Sequence, residues 1–324
     1  MSNAPRVSVL TPILNGNKYL DQCIRSVLDQ SYPNIEHVFV DGGSTDGTLA
    51  TLADYQARYP DRIKFTSGTD RGVGSALQKA YKLSTGEIIG WIDSDDFYQP
   101  NALATAISYF QANPQAHFIY GRCNIVNATS DVIGCFVIKD FDFDEWLQVW
   151  HYIVFCATFF RRDVIETVGF VNNLGNDLSF YLRVAKRFKM YRLNQTLTNW
   201  RLHEGSISLK RAPREHKIRT DRAKEDFLLV LRYGGSICSP RALTYYAVLE
   251  SNVANSILPV AKALRPLIGF SYPVLQRIDY EIRCSISVAR REGRSFAYPL
   301  MKNILHVLKS SISAWYRRRT WRTS

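Results

Sequence analysis

One short stretch of the chain has the residue types and spacing for metal chemistry, the acidic run Asp93-Ser94-Asp95-Asp96. It directly follows Glu87–Ile92, an apolar stretch with the pattern of a buried strand. Asp93 and Asp95 are two residues apart, so in extended backbone both carboxylates point the same way. Hard oxygen ligands of this kind suit Mg²⁺ or Mn²⁺ bridging to phosphate. An acidic loop that merely caps the next helix is the alternative, and spacing leaves both open.

Two more polar segments follow strand-like stretches. Thr11-Pro12 follows the strand-like stretch Arg6–Leu10. Asp41 follows the stretch Ile35–Val40 and begins a turn rich in glycine and serine. A carboxylate at a strand end can accept from a nucleobase N–H, and glycines let a ligand approach. Ligands of open parallel sheets bind at the carboxyl ends of the strands, so both segments lie where a ligand is expected. Each segment also reads as an ordinary turn.

The segment Asp70-Arg71-Gly72-Val73-Gly74 matches neither of two common nucleotide-binding motifs. It does not follow the first strand, so it is not the dinucleotide-binding GxGxxG fingerprint. The chain also contains no GKS or GKT, so it has no P-loop. Hydride transfer and P-loop chemistry therefore lose support.

The elements that must position these residues alternate between strand and helix. The predicted order is a strand at Arg6–Leu10, a helix at Lys18–Gln30, a strand at Ile35–Val40, a helix at Thr48–Tyr59, a strand at Ile63–Thr66, a helix at Ser75–Leu83, a strand at Glu87–Ile92, a helix at Asn101–Gln111 and a strand within His117–Asn127. This rhythm with nearly continuous apolar strands predicts an α/β fold with a mostly parallel sheet and helices on both faces.

After Val132 the rhythm weakens, with a strand and helix at Phe159–Val168, a helix at Leu178–Lys189 and a strand at Tyr191–Leu202. Beyond Lys210 the periodicity is mostly helical. Residues 211–324 hold 21 Lys and Arg against 8 Asp and Glu, whereas residues 1–210 hold 20 against 21. We therefore expect a domain at 1–210 and a basic helical region at 211–324 that faces an anionic partner.

The last predicted helix has a pattern typical of a helix at a membrane surface. Its apolar stripe consists of Leu300, Ile304, Leu308, Ile312 and Trp315. Basic residues, including Arg317–Arg319, lie outside that stripe. The alternative is that the stripe packs on neighbouring helices. No nucleic-acid-binding module is visible, so nucleic acid is not an expected partner.

Composition places the chain among ordinary globular proteins, with 46% hydrophobic and 22% charged residues, and excludes disordered, collagen-like and coiled-coil proteins. The six cysteines form no CxxC, which favours core thiols and a reducing compartment. No signal peptide and no membrane-spanning run are apparent. The expected location is cytoplasmic, peripheral at the inner face of the cell membrane.

Five stretches within residues 7–210 together resemble the bacterial family 2 glycosyltransferases, which have the GT-A fold. They read VSVLTPILNGNKYLDQCIRSVLDQSYPNIEHVFVDGGSTDGTL, TDRGVGSALQKAYKLSTGEIIGWIDSDD, ATFFRRDVIETVGF, NDLSFYLRVAKR and WRLHEGSIS. They stand in the family's order and cover about two-thirds of the chain. The resemblance implies an inverting transferase that moves a sugar from a nucleotide-sugar donor, foremost a UDP-sugar, to a glycan acceptor, free or lipid-linked.

The resemblance also implies roles for individual residues. The implied donor-binding residues are Thr11, Pro12, Asp41, Asp70, Arg71, Gly72, Asp93, Ser94 and Asp96. Asp93 and Asp95 match the DxD motif, in which Asp95 holds Mn²⁺ or Mg²⁺, and His203 matches a histidine near the metal. Asp177 matches the general base, although Asn176 and Ser179 stand where acidic residues are frequent. A metal-dependent nucleotidyltransferase and a catalytically silent membrane-associated scaffold are the alternative functions.

Overall fold

The computed structural model describes residues 4–136, 138–148, 153–171, 177–206, 229, 232 and 233. Within these ranges the chain forms nine strands and seven α-helices. In chain order they are β1 (Val7–Ile13), α1 (Asn17–Leu28), β2 (Ile35–Asp41), α2 (Thr48–Arg58), β3 (Ile63–Ser67), α3 (Val73–Leu83), β4 (Ile88–Trp91), β5 (Phe97–Tyr98), α4 (Ala102–Ala112), β6 (Phe118–Val126), β7 (Val132–Cys135), α5 (Phe143–Gln148), β8 (Thr158–Arg161), α6 (Arg162–Val168), α7 (Asp177–Ala185) and β9 (Met190–Arg201).

The described strands form one sheet in the order β3-β2-β1-β4-β8-β6-β9-β5, with β7 paired to β6. The first four strands of that order are parallel to one another. Beyond β4 the sheet is mixed, because β8 is antiparallel to both β4 and β6 while β9 is parallel to β6. A short turn joins β6 directly to β7, and such a connection requires antiparallel pairing. The parallel part carries the strand ends singled out by the sequence.

Both faces of the parallel part of the sheet are buried at β1 and β2. Every residue of β1 and β2 is buried, and successive side chains of a strand point to opposite faces. Val7 and Val9 of β1 share a core with Cys23 and Val27 of α1. The near-continuous apolar pattern of these strands therefore reflects a sheet buried on both sides, as predicted.

The predicted elements appear with ends shifted by a few residues. Three elements were absent from the prediction: β5, β7 and α5. A two-residue strand such as β5 carries no periodicity, and β7 is a short strand with Val132 and Ile133 exposed. The predicted helices after Lys210, the basic tail and the boundary at 210/211 lie outside the described residues apart from three isolated positions, so the division into two domains stays a prediction.

Three of the cysteines are free and buried, Cys23, Cys123 and Cys156, which confirms core thiols at these positions. Cys135 is free but exposed, and Cys238 and Cys284 lie outside the described residues. None of the helices in the described ranges has the length and hydrophobicity needed to cross a membrane.

Three titratable side chains are buried in β2, namely Glu36, His37 and Asp41, and the first two lie in the interior of the strand. Burial alone would raise the pKa of Glu36, but hydrogen bonds from Lys64, Ser8 and the Thr85 backbone N–H outweigh it and lower that pKa to about 2. Burial lowers the pKa of His37 to about 3. His37 Nε2 lies 2.8 Å from Thr11 Oγ1. Because Thr11 donates its own hydrogen to the Ile92 carbonyl, His37 is the donor of that contact and is neutral.

The buried neutral imidazole predicts a specific loss of stability in acid. The pKa of His37 falls from 6.5 to about 3 on folding, so below 6.5 the unfolded chain binds the proton and the folded state loses stability. Between about pH 7.5 and about pH 5.5 this one group should cost the wild type about 1.4 kcal/mol of unfolding free energy. The lowered pKa of Glu36 makes the unfolding free energy depend on pH only below the unfolded pKa of 4.5, which is outside this range.

The measurement is urea unfolding of wild type and His37→Gln at both pH values. Glutamine keeps an N–H donor for Thr11 but does not titrate, so the variant should lack this part of the pH dependence. An equal change in unfolding free energy for both proteins would contradict a neutral, buried His37.

Candidate functional site

The acidic run lies directly after β4, at the switch point of the sheet. β1 pairs with β2 on one side and with β4 on the other, and ligands of open α/β sheets bind outside the strand ends at such a point. One side-chain oxygen each of Asp93, Asp95 and Asp96 lies within 4.8 Å of the others. The Asp96 N–H donates to the Asp93 carbonyl at 3.1 Å, which closes the run into a tight turn.

Asp96 lies beneath this turn and not at its surface. Its side chain is buried, and Oδ1 accepts the backbone N–H of Arg201 at 2.8 Å. Burial, followed by the charges of Asp95 and Asp93, raises the pKa of Asp96 well above its usual range. The family resemblance implies that Asp96 contacts the donor or the acceptor. In this structure its side chain is closed to solvent, so neither ligand could reach it without a change in the turn.

His203, which the family resemblance implies to lie near the metal, is next to Asp95. Its Nε2 is 3.0 Å from Asp95 Oδ2, and its Nδ1 accepts the Gly205 N–H at 3.1 Å. Since Nδ1 uses its lone pair, the ring proton belongs on Nε2, which donates to Asp95. His203 thus orients a carboxylate, and Nε2 could ligate a metal only in the other tautomer, in which Nδ1 carries the ring hydrogen. The metal-ligand role of His203 stays a prediction.

An aromatic cluster lies between the acidic run and α7. Its members are Trp91, Phe155, Phe170 and Phe180. The Trp91 indole N–H donates to Asp93 Oδ1 at 3.3 Å, and the Trp91 ring packs against Phe155 and Phe170. Phe180 of α7 packs on the same two rings, at 5.9 Å and 5.8 Å between centroids. Asp177, the predicted base, is the exposed first residue of α7.

Asp41 is buried at the end of β2 and ties two loops together. Its carboxylate accepts the backbone N–H groups of Gly43 (2.9 Å) and Ser44 (3.0 Å) and the hydroxyls of Ser44 and Ser67. Burial would raise its pKa, but the hydrogen bonds from Ser44 and Ser67 lower it. A base N–H at Asp41, as predicted from the sequence, would have to replace one of these internal donors.

The loop that contains Asp70 borders the loop after Asp41. Asp70 Oδ1 accepts the Gly72 N–H at 2.8 Å, and Oδ2 lies 3.6 Å from where a Cβ on Gly42 would be. Arg71 and Gly72 are exposed. The structure therefore brings these predicted donor-binding residues to the same edge of the sheet.

The predicted residues of β1 support the site from within. Thr11 is fully buried, with its hydroxyl between His37 and the Ile92 carbonyl, and Pro12 is also buried. Ser94 Oγ lies 2.6 Å from where a Cβ on Gly16 would be. Glycine at that position is what lets the loop after β1 approach the acidic run so closely.

Arg201 is a site residue that the sequence analysis missed. It ends β9, is 1% exposed, and its Nε donates to the Asp95 carbonyl at 2.8 Å. The one sequence signal is its place two residues before His203 in a stretch with a strand pattern. Arginines are mostly exposed, so the pattern alone did not indicate a buried one.

Comparisons with known proteins agree with this geometry. A sequence profile described as Glycosyl transferase family 2 matches residues 8–169. Chondroitin synthase of Escherichia coli is 28% identical over 221 residues, covering 65% of this chain and 31% of that protein. The chain thus matches less than a third of that relative's length.

Two solved structures have a similar fold. TarS 1–349 of S. aureus, in complex with UDP-GlcNAc, has a TM-score of 0.56 at 16% identity, covering 90% of this chain and 93% of that one. The mannosyltransferase PcManGT of Pyrobaculum calidifontis, in complex with GDP-Man and Mn²⁺, has a TM-score of 0.54 at 20% identity, covering 87% of each chain. The profile spans half of the chain and the structural relatives are GT-A glycosyltransferases, so this chain belongs to glycosyltransferase family 2 and has the GT-A fold.

Proposed function

We propose that the protein transfers a sugar from a nucleotide-sugar donor, foremost a UDP-sugar, to a glycan acceptor with inversion at the anomeric carbon. The observation that carries this proposal is the group of three carboxylates, Asp93, Asp95 and Asp96, at the switch point of the sheet. That is where an open α/β sheet binds ligands. Support for the donor class comes from TarS in complex with UDP-GlcNAc and PcManGT in complex with GDP-Man.

The residues present fit a divalent cation. Asp93 is exposed and Asp95 partly exposed, so both can turn oxygens toward an ion, whereas Asp96 is buried beneath them. Carboxylate oxygens suit Mn²⁺ or Mg²⁺, and Asp95 and Asp93 would hold it. When bound, such an ion acts as a Lewis acid that neutralises charge on the departing nucleotide diphosphate.

The acceptor hydroxyl needs a base on the face of the sugar opposite the leaving group. We assign this role to Asp177, which is exposed at the start of α7 and whose helix packs on the aromatic cluster that contacts Asp93. The acceptor O–H gives its proton to the Asp177 carboxylate while the oxygen bonds to the anomeric carbon. The bond from that carbon to the phosphate oxygen breaks, and its electron pair leaves with the nucleotide diphosphate.

We further propose that the protein is peripheral at the inner face of the cell membrane, where a lipid-linked acceptor would be presented. Support for this comes from the sequence alone, namely the basic balance of residues 211–324 and the apolar stripe that begins at Leu300. These residues lie outside the described part of the chain.

The donor and metal are tested by thermal shift with UDP-, GDP-, CMP- and dTDP-sugars, with and without Mn²⁺. A true donor at a hundredfold excess over its Kd should raise the melting temperature by about 5 °C or more, in a Mn²⁺-dependent manner. Asp95→Asn should lose the Mn²⁺-dependent part. The control is Asp61→Asn, which should behave as wild type. Asp61 is exposed and precedes β3, at the amino-terminal edge of the parallel strands.

An undiminished shift in Asp95→Asn, or full transfer in the presence of EDTA, would remove the metal role of Asp95. A shift with nucleoside triphosphates and none with nucleotide sugars would instead favour a nucleotidyltransferase.

The base is tested with Asp177→Asn, a nearly isosteric change. It should leave donor and Mn²⁺ affinity within a few-fold of wild type and slow transfer by about 10²-fold or more, because a proton acceptor is lost. The matched control is Asp163→Asn. Asp163 is likewise an acidic residue in the first turn of a helix, and its Oδ2 lies 2.8 Å from Nδ1 of His117. Transfer at the wild-type rate by Asp177→Asn would mean that another group is the base.

The membrane proposal is tested in the full chain by replacing Arg317, Arg318 and Arg319 with glutamine. Each basic residue near an anionic bilayer contributes about 1 kcal/mol, so the triple variant should bind anionic vesicles about 100-fold more weakly. Co-sedimentation with anionic and neutral vesicles at low and high salt measures this. Binding that ignores lipid charge and salt, or is equal in both proteins, would count against a membrane-binding tail.

A further inference from the structure

Arg201 is a buried cation that holds the acidic run from below. Its Nε donates to the Asp95 carbonyl at 2.8 Å, and Nη2 donates to Gln22 Oε1 of α1 at 2.6 Å. The remaining contacts, all from Nη1 to the turn between β6 and β7, are to the Asn127 carbonyl (3.2 Å), the Ala128 carbonyl (3.3 Å) and Ser130 Oγ (3.0 Å). One guanidinium therefore connects three segments that are distant in sequence.

The surroundings of this cation are unusual for a buried charge. Within the described residues Arg201 forms no ion pair, and its partners are carbonyls, an amide and a hydroxyl. The rings of Tyr19 and Phe97 lie 4.4 Å and 5.3 Å from the guanidinium carbon. Burying a charge without an opposite charge in contact is unfavourable. The guanidinium lies near three clustered carboxylates but contacts none of them, which suggests that its role concerns the site as a whole.

The end of β9 holds Asp95 at two places. Arg201 Nε fixes the peptide of Asp95 through its carbonyl, and His203 Nε2 meets the Asp95 carboxylate at 3.0 Å. The backbone N–H of Arg201 also binds Asp96 Oδ1. The positive charge beneath the turn reduces the repulsion between carboxylates that lie within 4.8 Å of each other.

We propose that Arg201 is a positioning residue for the cation and donor site. It touches neither donor nor acceptor; it sets the orientation of Asp95 and compensates part of the negative charge of the acidic run. This inference rests on the proposed function, since it assigns the purpose of the orientation to binding of a divalent cation with a nucleotide diphosphate.

Lysine cannot take over this task. A planar guanidinium presents donors in several fixed directions, whereas an ammonium is a compact point charge on a flexible stem. At position 201 a lysine could reach the Asp95 carbonyl or Gln22 but would not hold both with the turn after β6. Arg201→Lys therefore keeps the charge and loses the geometry, and Arg201→Gln loses both.

The test measures binding of Mn²⁺ by the electron paramagnetic resonance signal of the free ion, in the presence of UDP and, in parallel, GDP. Both Arg201 variants should bind Mn²⁺ at least about 10-fold more weakly than wild type. The matched control is Arg161→Gln. Arg161 also donates to two carbonyls, those of Ala116 and Phe110, and stacks on an aromatic ring. Its backbone is paired with Ile88 at the start of β4, whereas the acidic run follows the other end of that strand. This control should bind Mn²⁺ within about twofold of wild type.

A folded Arg201→Lys with a lower melting temperature and wild-type Mn²⁺ affinity would overturn the proposal, because the arginine would then be merely structural. If neither Arg201 variant folds, Gln22→Ala removes the acceptor of Nη2, an oxygen that also accepts the Ser130 hydroxyl at 3.2 Å, and should still weaken Mn²⁺ binding about threefold or more. Unchanged binding in Gln22→Ala would then overturn it. A wild type that binds no Mn²⁺ with either nucleotide instead overturns metal-assisted binding of a UDP- or GDP-sugar in the proposed function, which distinguishes the two failures.

Discussion

Repulsion among the carboxylates of the acidic run is the constraint on which the rest of the site depends. Three oxygens of like charge within 4.8 Å are unfavourable unless neighbouring groups compensate them. The described neighbours do so by donating hydrogen bonds to the carboxylates, from the side chains of Trp91 and His203 and from the backbone N–H of Arg201. Burial and the adjacent charges raise the pKa of Asp96, so the innermost member tends toward its neutral form.

Those donors come from different parts of the sheet, which links the site to the topology. Trp91 ends a parallel strand, whereas Arg201 ends β9 in the mixed half. The acidic run lies where the two halves meet, since β4 pairs with parallel β1 on one side and antiparallel β8 on the other. A rigid sheet buried on both faces can hold polar groups at such an edge without relying on loop geometry alone.

The aromatic cluster connects the acidic run to α7, the helix that carries the proposed base Asp177. Trp91 hydrogen-bonds Asp93 and packs on Phe155 and Phe170, and both of these rings pack on Phe180 of α7. Well-packed rings transmit position because the interior does not deform continuously. A change in the ring volumes here should alter the acidic run and α7 together.

Local pattern and motifs of adjacent residues are enough to predict the α/β alternation, the family and the acidic run. How those residues are used depends on contacts between distant segments, which exist only in the folded chain. Asp41, Thr11 and Asp96 had the residue types of ligand contacts, yet their polar atoms hydrogen-bond within the fold. The strand pattern around Arg201 did not reveal its burial, because its partners lie in segments more than seventy residues away in sequence. Burial and long-range hydrogen bonding depend on which segments meet in space, and no local pattern encodes that.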